Sequence, residues 1–219
     1  MPDPSRPLLL GHRGARAVRS IPENTFESFD RALADGCDGF EFDVRLTADS
    51  IGVVCHDPSF QRVEIARSAA AEVSQLPRLA DVLSRYQHSA FLDIELKEAG
   101  LENITLDLLQ KYPPRRGFVI SSFLPQVLVT VAEMQEHIPL GLICETRLQL
   151  RRWKDLPVDC VIPHYKLLTA ALVDEVRGAG KKIWVWTVND SRTMERVRDL
   201  GVDGIISDQT EVLCRTVAR

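Results

Sequence analysis

Gly39-Phe40-Glu41-Phe42-Asp43-Val44-Arg45-Leu46-Thr47-Ala48-Asp49-Ser50-Ile51-Gly52-Val53-Val54-Cys55-His56-Asp57 sets two acids and a histidine on either side of a polar turn. Strand side chains alternate faces, so Glu41 and Asp43 project to one side and Phe40, Phe42 and Val44 to the other. A reversal at Asp49-Ser50 makes an antiparallel hairpin in which residue i lies opposite residue 99 minus i, setting His56 across from Asp43. A slip of one residue would turn His56 to the opposite face. The link between Val44 and Ile51 is too short for the crossover that a parallel neighbour needs, so the second run must be a hairpin return.

Outward from this hairpin the chain alternates short apolar runs with helical periods. Before it, Leu8-Leu9-Leu10 leads into Gly11-His12-Arg13-Gly14, a buried strand opening into a glycine-flanked turn. Phe26, Phe29, Ala32 and Leu33 follow at helical spacing, with Asn24 or Thr25 as N-cap and Gly36 as stop. After it, 58–74 reads as irregular and polar. Strands are then expected at 90–96, 117–120, 140–144, 158–162, 182–188 and 203–206. Helices are expected near 79–86, 102–111, 125–135, 148–154, 170–179 and 192–200, with a last one from Thr210. This alternation predicts an α/β fold with a parallel sheet covered by helices. Setting the hairpin return aside leaves eight strands, the count of a TIM (β/α)8 barrel with a β-hairpin extension after strand two. An open doubly wound sheet fits less well, since Gly11-His12-Arg13-Gly14 is not a glycine-rich phosphate loop.

With 219 residues, 45% of them hydrophobic, the chain can bury one large core, so a single domain over 1–219 is expected. A net charge of −4 with scattered basic residues excludes a nucleic-acid footprint. No apolar run is long enough to span a bilayer, and residues 1–7 lack the layout of a signal peptide, so a cytoplasmic location is expected. Five cysteines at 37, 55, 144, 160 and 214 form no metal-binding or disulfide pattern and read as small core side chains.

In a barrel the reactive side chains belong at the C-terminal strand ends. His12 and Arg13 fall there after strand one, Glu41 and Asp43 on strand two, and Glu95 and Lys97 at the end of the strand at 90–96. Asp93 shares parity with Glu95 and could replace it as ligand or serve as a buried acceptor. Of Trp184 and Trp186, one reaches the cavity, and Trp186 is taken as the substrate-facing one. Asn189 lies just beyond, Asp203 and Asp208 bracket strand eight, and His164 follows strand six. His88 and His137 read as surface groups. Three carboxylates, Glu41, Asp43 and Glu95, without cysteine suit a hard cation, Mg²⁺ or Ca²⁺. Arg13 and Lys97 offset the acids and would hold a phosphate, while His12 and His56 can divide general acid and base duties. The set fits phosphodiester cleavage.

Taken together, His12-Arg13-Gly14, Pro22-Glu23-Asn24-Thr25, Glu41-x-Asp43-Val44 with Thr47 and Asp49, His56-Asp57, Glu95-x-Lys97 and Trp186-Thr187-Val188-Asn189 resemble the glycerophosphodiester phosphodiesterase family nearly end to end. The resemblance implies a barrel enzyme that hydrolyses glycerophosphodiesters, its small-molecule substrates, to an alcohol and sn-glycerol 3-phosphate. It implies that Glu41, Asp43 and Glu95 match the divalent-metal ligands, His12 and His56 the acid and base, and Arg13 and Lys97 the phosphate contacts. The chain departs from the family at about 58–76, where a commonly longer insertion is shortened and Glu72-Val73-Ser74-Gln75-Leu76 runs straight into Pro77. His12 is read as base and His56 as acid in the first step, with the exchanged assignment also allowed. Two other readings stand beside it: a metal-independent lyase releasing a cyclic phosphate, and a non-catalytic phosphate-binding barrel. The alcohol, the choice of Mg²⁺ or Ca²⁺ and the oligomeric state stay open at this level.

Overall fold

Eight parallel strands close on themselves in the computed structural model, which describes residues 6–217. In chain order the elements begin with β1 (Leu8–His12), α1 (Phe26–Ala34), β2 (Gly39–Leu46) and β3 (Gly52–Val54). The short hairpin β4 (Ser59–Phe60) and β5 (Val63–Glu64) comes next, then α2 (Leu79–Tyr86), β6 (Phe91–Leu96), α3 (Glu102–Lys111), β7 (Phe118–Ser122) and α4 (Pro125–Met134). The chain ends with β8 (Leu140–Cys144), α5 (Arg147–Leu150), β9 (Cys160–Pro163), α6 (Ala170–Gly178), β10 (Lys182–Val185), α7 (Ser191–Asp199), β11 (Gly204–Ser207) and α8 (Thr210–Val217). The barrel runs β1-β11-β10-β9-β8-β7-β6-β2, and β1 pairs with both β11 and β2, which closes it. β3 adds to β2 antiparallel outside the ring.

Strand parity builds two cores. On β2, Phe40 and Phe42 point outward and join Phe29 of α1 and Tyr86 of α2. The Phe29 and Phe40 rings stack at 4.1 Å and Tyr86 meets Phe40 edge-on at 4.9 Å. Each such buried aromatic contributes about 2–3 kcal/mol by removal from water, which fixes α1 and α2 on the barrel wall. Inside the barrel, Leu8, Leu10, Val119, Ile143, Cys160, Ile162, Trp184 and Ile206 fill the lower layers. The floor of the site is therefore packed with apolar side chains, and charge gathers toward the mouth. Gly39 starts β2 because a Cβ there would lie 1.8 Å from the Phe91 carbonyl oxygen on β6.

Several expectations are refined. The hairpin register pairs Val44 with Val54 and Arg45 with Val53, so paired numbers sum to 98 and Asp43 faces Cys55 rather than His56. The turn sets this. Thr47 N donates to the Ile51 carbonyl at 3.0 Å and Ile51 N to Thr47 Oγ1 at 3.0 Å, centring the reversal on Asp49. The slip does not turn His56 away, because β3 stops at Val54 and the chain bends before His56. The segment 58–74, expected to be irregular, carries the β4–β5 hairpin and 3-10 turns at Ile65–Arg67 and Ala70–Val73. Ile65 and Val73 pack on Val53 there. The strand expected over 182–188 stops at Val185, and the helix near 148–154 is a single turn, α5, followed by a 3-10 turn. Four cysteines are buried and Cys55 is half-buried; the Cys37 and Cys214 sulfurs lie 3.6 Å apart. Among the described residues no helix is long and apolar enough to cross a membrane.

Candidate active site

A cavity of about 320 Å³ opens at the C-terminal end of the barrel strands. One wall is charged and carries His12, Arg13, Glu41, His56, Glu95 and Lys97; Asp93 lies beneath them. The opposite wall is apolar, made by Phe123, Ile143, Ile162, Trp186 and Ile206, with Glu145 at its lip. Of the eight residues expected to act as acid or base, hold the metal or touch the substrate, all but Asp43 line this one cavity. Asp43 is buried behind the charged wall.

The acids converge because β2 and β6 are in-register parallel neighbours. Glu41 pairs with Asp93 and Asp43 with Glu95, and alternation turns all four inward. One carboxylate oxygen each from Glu41, Asp43 and Glu95 lies within 4.8 Å of the others, a group that could hold a metal ion. Their protonation differs with their neighbours. Burial, then Asp43, Glu95 and Asp93, pushes Glu41 well above the usual carboxylate range. Burial and the Asp43 charge push Glu95 up to about 7 against the pull of Lys97. Burial works upward on Asp43 as well, but Lys97, Arg13 and the Asn24 hydrogen bond outweigh it and hold Asp43 below its ordinary value. Three buried acids with one kept ionised by two cations is a site short of positive charge. Among the described residues the buried Glu41 Oε1 has no hydrogen-bond donor. The oxygen-only donor set, the clustering and this unmet acceptor fit a hard divalent cation. Asp93 stands a layer lower, accepts from Ser121 Oγ at 2.5 Å and is pushed by burial up to about 7. It is a buried acceptor outside the three-carboxylate group.

The two cations of the wall are held in place. Lys97 Nζ lies 2.7 Å from Glu95 Oε1 and 3.2 Å from Asp43 Oδ1. Arg13 adopts a left-handed backbone, φ 52°, that lets its N–H donate to Glu41 Oε2 at 3.0 Å. Its guanidinium reaches Glu23 Oε1 at 2.7 Å and Asp43 Oδ2 at 3.2 Å. Burial works against the Arg13 charge, yet Asp43 and Glu41 outweigh it and raise its pKa.

Each imidazole is anchored through Nδ1 to a carboxylate. His12 Nδ1 lies 2.7 Å from Asp208 Oδ1, and His56 Nδ1 lies 2.8 Å from Asp57 Oδ1. A carboxylate only accepts, so Nδ1 carries the proton and Nε2 of the neutral ring is left with its lone pair. His12 Nε2 is 3.9 Å from Glu41 Oε2, at the acid cluster. The Arg45 guanidinium donates to the His56 carbonyl at 2.7 and 2.9 Å and fixes the bend that carries this ring.

Sequence reading named Asp208 and Asn189 at the strand ends and Asn24 as a cap, but gave none of them its part in holding these groups. Asp208 follows β11, beside β1 only once the barrel closes, and Asn189 Nδ2 donates to its Oδ2 at 2.7 Å. Burial pushes the Asp208 carboxyl up, but His12, Asn189 and Arg16 outweigh it and hold it below its ordinary value. Asn24, considered as a helix cap, instead donates Nδ2–H to Asp43 Oδ2 at 2.8 Å, and Thr25 Oγ1 caps α1. Trp186 lines the cavity while Trp184 is buried below it, and Asp203 caps the other end of β11 by accepting from Ile183 N. His164 stands outside the cavity, edge-on to Trp186 at 5.3 Å, and His88 and His137 are exposed.

The model of the glycerophosphoryl diester phosphodiesterase family matches residues 12–92 and 75–212. A glycerophosphodiester phosphodiesterase of Caldanaerobacter subterraneus subsp. tengcongensis is 30% identical over 97% of this chain and 98% of its own length. One from Bacillus subtilis is 26% identical over 95% of this chain and 86% of its own. The glycerophosphodiester phosphodiesterase structure from Thermotoga maritima superposes with a TM-score of 0.83, at 25% identity over 95% of this chain and 97% of that one. An Oleispira antarctica phosphodiesterase, solved with its product sn-glycerol-3-phosphate, shares the fold with a TM-score of 0.85, at 24% identity over 98% of each chain. On the family match and the Caldanaerobacter relative, the chain belongs to the glycerophosphoryl diester phosphodiesterase family of phosphoric diester hydrolases.

Proposed function

We propose that this chain, acting as one catalytic domain with a shortened insertion at 58–76, hydrolyses small glycerophosphodiesters to an alcohol and sn-glycerol 3-phosphate in the cytoplasm. Glu41, Asp43 and Glu95 would hold one divalent cation, Mg²⁺ or Ca²⁺. That cation would supply Lewis-acid polarisation of the phosphodiester and compensate the buried carboxylates. The observation that carries the reading is two imidazoles, each tied by Nδ1 to an acid, beside three clustered carboxylates in one cavity.

The side chains divide the work as follows. Arg13 and Lys97 attract the phosphate and hold its non-bridging oxygens, while the apolar wall with Trp186 excludes water from the far side. His12 takes the proton of a glycerol hydroxyl through Nε2, and Asp208 stabilises the imidazolium that results. The hydroxyl oxygen forms a bond to phosphorus as the bond to the alcohol oxygen breaks, and His56, entering this step as the imidazolium with its Nδ1–H on Asp57, gives that oxygen the proton of Nε2. A water molecule then opens the cyclic phosphate with the two histidines in reversed roles. Each imidazole is worth roughly 10² to 10⁴ in rate.

The test is release of glycerol 3-phosphate from glycerophosphocholine, glycerophosphoethanolamine and glycerophosphoglycerol by wild type, His12→Ala and His56→Ala. Both variants should stay folded by circular dichroism and lose at least about 10²-fold in kcat. Near-normal turnover by either would remove that histidine from the mechanism, and a cyclic phosphate as the end product would mean a lyase.

A further inference from the structure

The cavity is divided, and its apolar half carries a feature that phosphate chemistry does not use. Phosphate and glycerol hydroxyls find their partners on the charged wall. The other wall offers aliphatic side chains, the Phe123 and Trp186 rings, and no free donor: the Trp186 indole N–H is spent on the Ile162 carbonyl at 3.0 Å. The two rings stand at 86° with centroids 5.5 Å apart, and His164 backs Trp186 at 87° and 5.3 Å. Trp186 is thus clamped between two rings and preorganised as an aromatic corner. At the lip stands Glu145, exposed and just beyond β8. Its backbone N–H donates to Gln149, but among the described residues its carboxylate makes no hydrogen bond and no salt bridge. The neighbouring cation, Lys97, which lies 5.7 Å from the Phe123 ring centre, is turned toward Glu95 and Asp43.

Resting on the hydrolase reading above, we propose that Phe123, Trp186 and Glu145 form the subsite for the leaving alcohol and select alcohols that carry an ammonium group. A hydroxyl-rich head group would strand its donors against Ile143, Ile162 and Ile206. A methylated ammonium spreads its charge over carbon, needs no hydrogen-bond acceptor and is attracted by aromatic faces. Glu145 adds the single anion of that wall, placed where a cationic head group leaves the cavity.

The experiment has a binding arm and a turnover arm. Choline chloride and its neutral carbon isostere, 3,3-dimethylbutan-1-ol, are titrated into wild type, Glu145→Gln and Glu145→Lys by calorimetry or ligand-observed NMR. The kcat/KM ratio of glycerophosphocholine to glycerophosphoglycerol is measured on the same proteins. Wild type should bind choline more tightly than the isostere. The choline affinity and the substrate ratio should each fall roughly three- to tenfold in Glu145→Gln, mainly through KM, and further in Glu145→Lys. Equal binding of the two probes by wild type, or a preference that neither variant changes, would overturn the subsite. Choline binding that follows Glu145 in a protein that turns over no glycerophosphodiester would sink the hydrolase reading while leaving the subsite standing.

Discussion

Replacing Asp208 by Asn probes the half of the site that closure of the barrel creates. The carboxylate accepts from His12 Nδ1 through Oδ1 and from Asn189 Nδ2 through Oδ2, both at 2.7 Å. Asn189 cannot flip to suit a new partner, because its Oδ1 already accepts the Asp208 backbone N–H at 2.9 Å. A carboxamide at 208 must therefore keep its oxygen toward Asn189 and turn its NH₂ toward His12. The ring can meet that donor only through an unprotonated Nδ1, which moves the proton to Nε2 and removes the lone pair that the proposed general base would use. Side-chain volume and shape hardly change, so the cost falls on chemistry and not on folding. In carboxylate–histidine pairs elsewhere the wrong tautomer lowers kcat by about 10⁴, and general base catalysis as a whole is worth roughly 10² to 10⁴. A fall in kcat of about 10³-fold is expected, with KM changed less than about threefold and a melting temperature close to wild type. Steady-state release of glycerol 3-phosphate and a thermal melt measure both. Turnover within about threefold of wild type would refute the argument, and a large loss of melting temperature would show that Asp208 serves the fold instead.

Three further outcomes follow from the geometry. Asn24→Ala removes the donor that orients Asp43 Oδ2 and should weaken divalent-cation affinity roughly 10- to 100-fold by calorimetry; unchanged affinity would mean that Asp43 needs no such support. Glu95, pushed up to about 7, and Glu41, also raised, favour their protonated forms in the folded chain. The stability they lend is complete below the unfolded carboxylate pKa of about 4.3 and is lost as pH rises through about 7, up to about 3 kcal/mol for Glu95. Chelated protein should therefore melt lower at pH 8 than at pH 5.5, and adding Mg²⁺ or Ca²⁺ should restore it; a flat profile would contradict the charge balance of the acid cluster. Phe29→Ala empties a ring that stacks on Phe40 at 4.1 Å and should cost about 3–5 kcal/mol in urea unfolding without changing kcat of the folded fraction, whereas a cost under about 1 kcal/mol would mean that α1 is held by other contacts.

What sequence could and could not reveal follows from which interactions are local. The separation of Glu41 and Asp43 from Phe40 and Phe42 needs only strand alternation, and eight strands with helices between them admit few closures, so the barrel and its acid cluster were legible. The hairpin register was not, because the Thr47 side chain and the left-handed Ser50, φ 60°, shift the pairing by one residue from that of a reversal at Asp49-Ser50. His56 reached the cavity all the same, through the Arg45 clamp on its carbonyl rather than through strand pairing. The order within 58–74 rests on Ile65 and Val73 packing against Val53, contacts that a polar segment scarcely signals. Asp208 is 196 positions from His12, and nothing along the chain links the two. Its place at the end of the last apolar run, next to the first strand in any closed barrel, was the one available signal.

On the proposed function, three acids from two adjacent strands hold a single cation on which turnover depends. Chelated wild type and Glu95→Gln should each be titrated with Mg²⁺ and with Ca²⁺ while cation binding and glycerol 3-phosphate release are followed together. Activity of wild type should return in proportion to one bound ion per chain, and Glu95→Gln should recover neither the binding nor the rate. Full turnover in the chelated wild type, or undiminished cation binding by Glu95→Gln, would contradict the account.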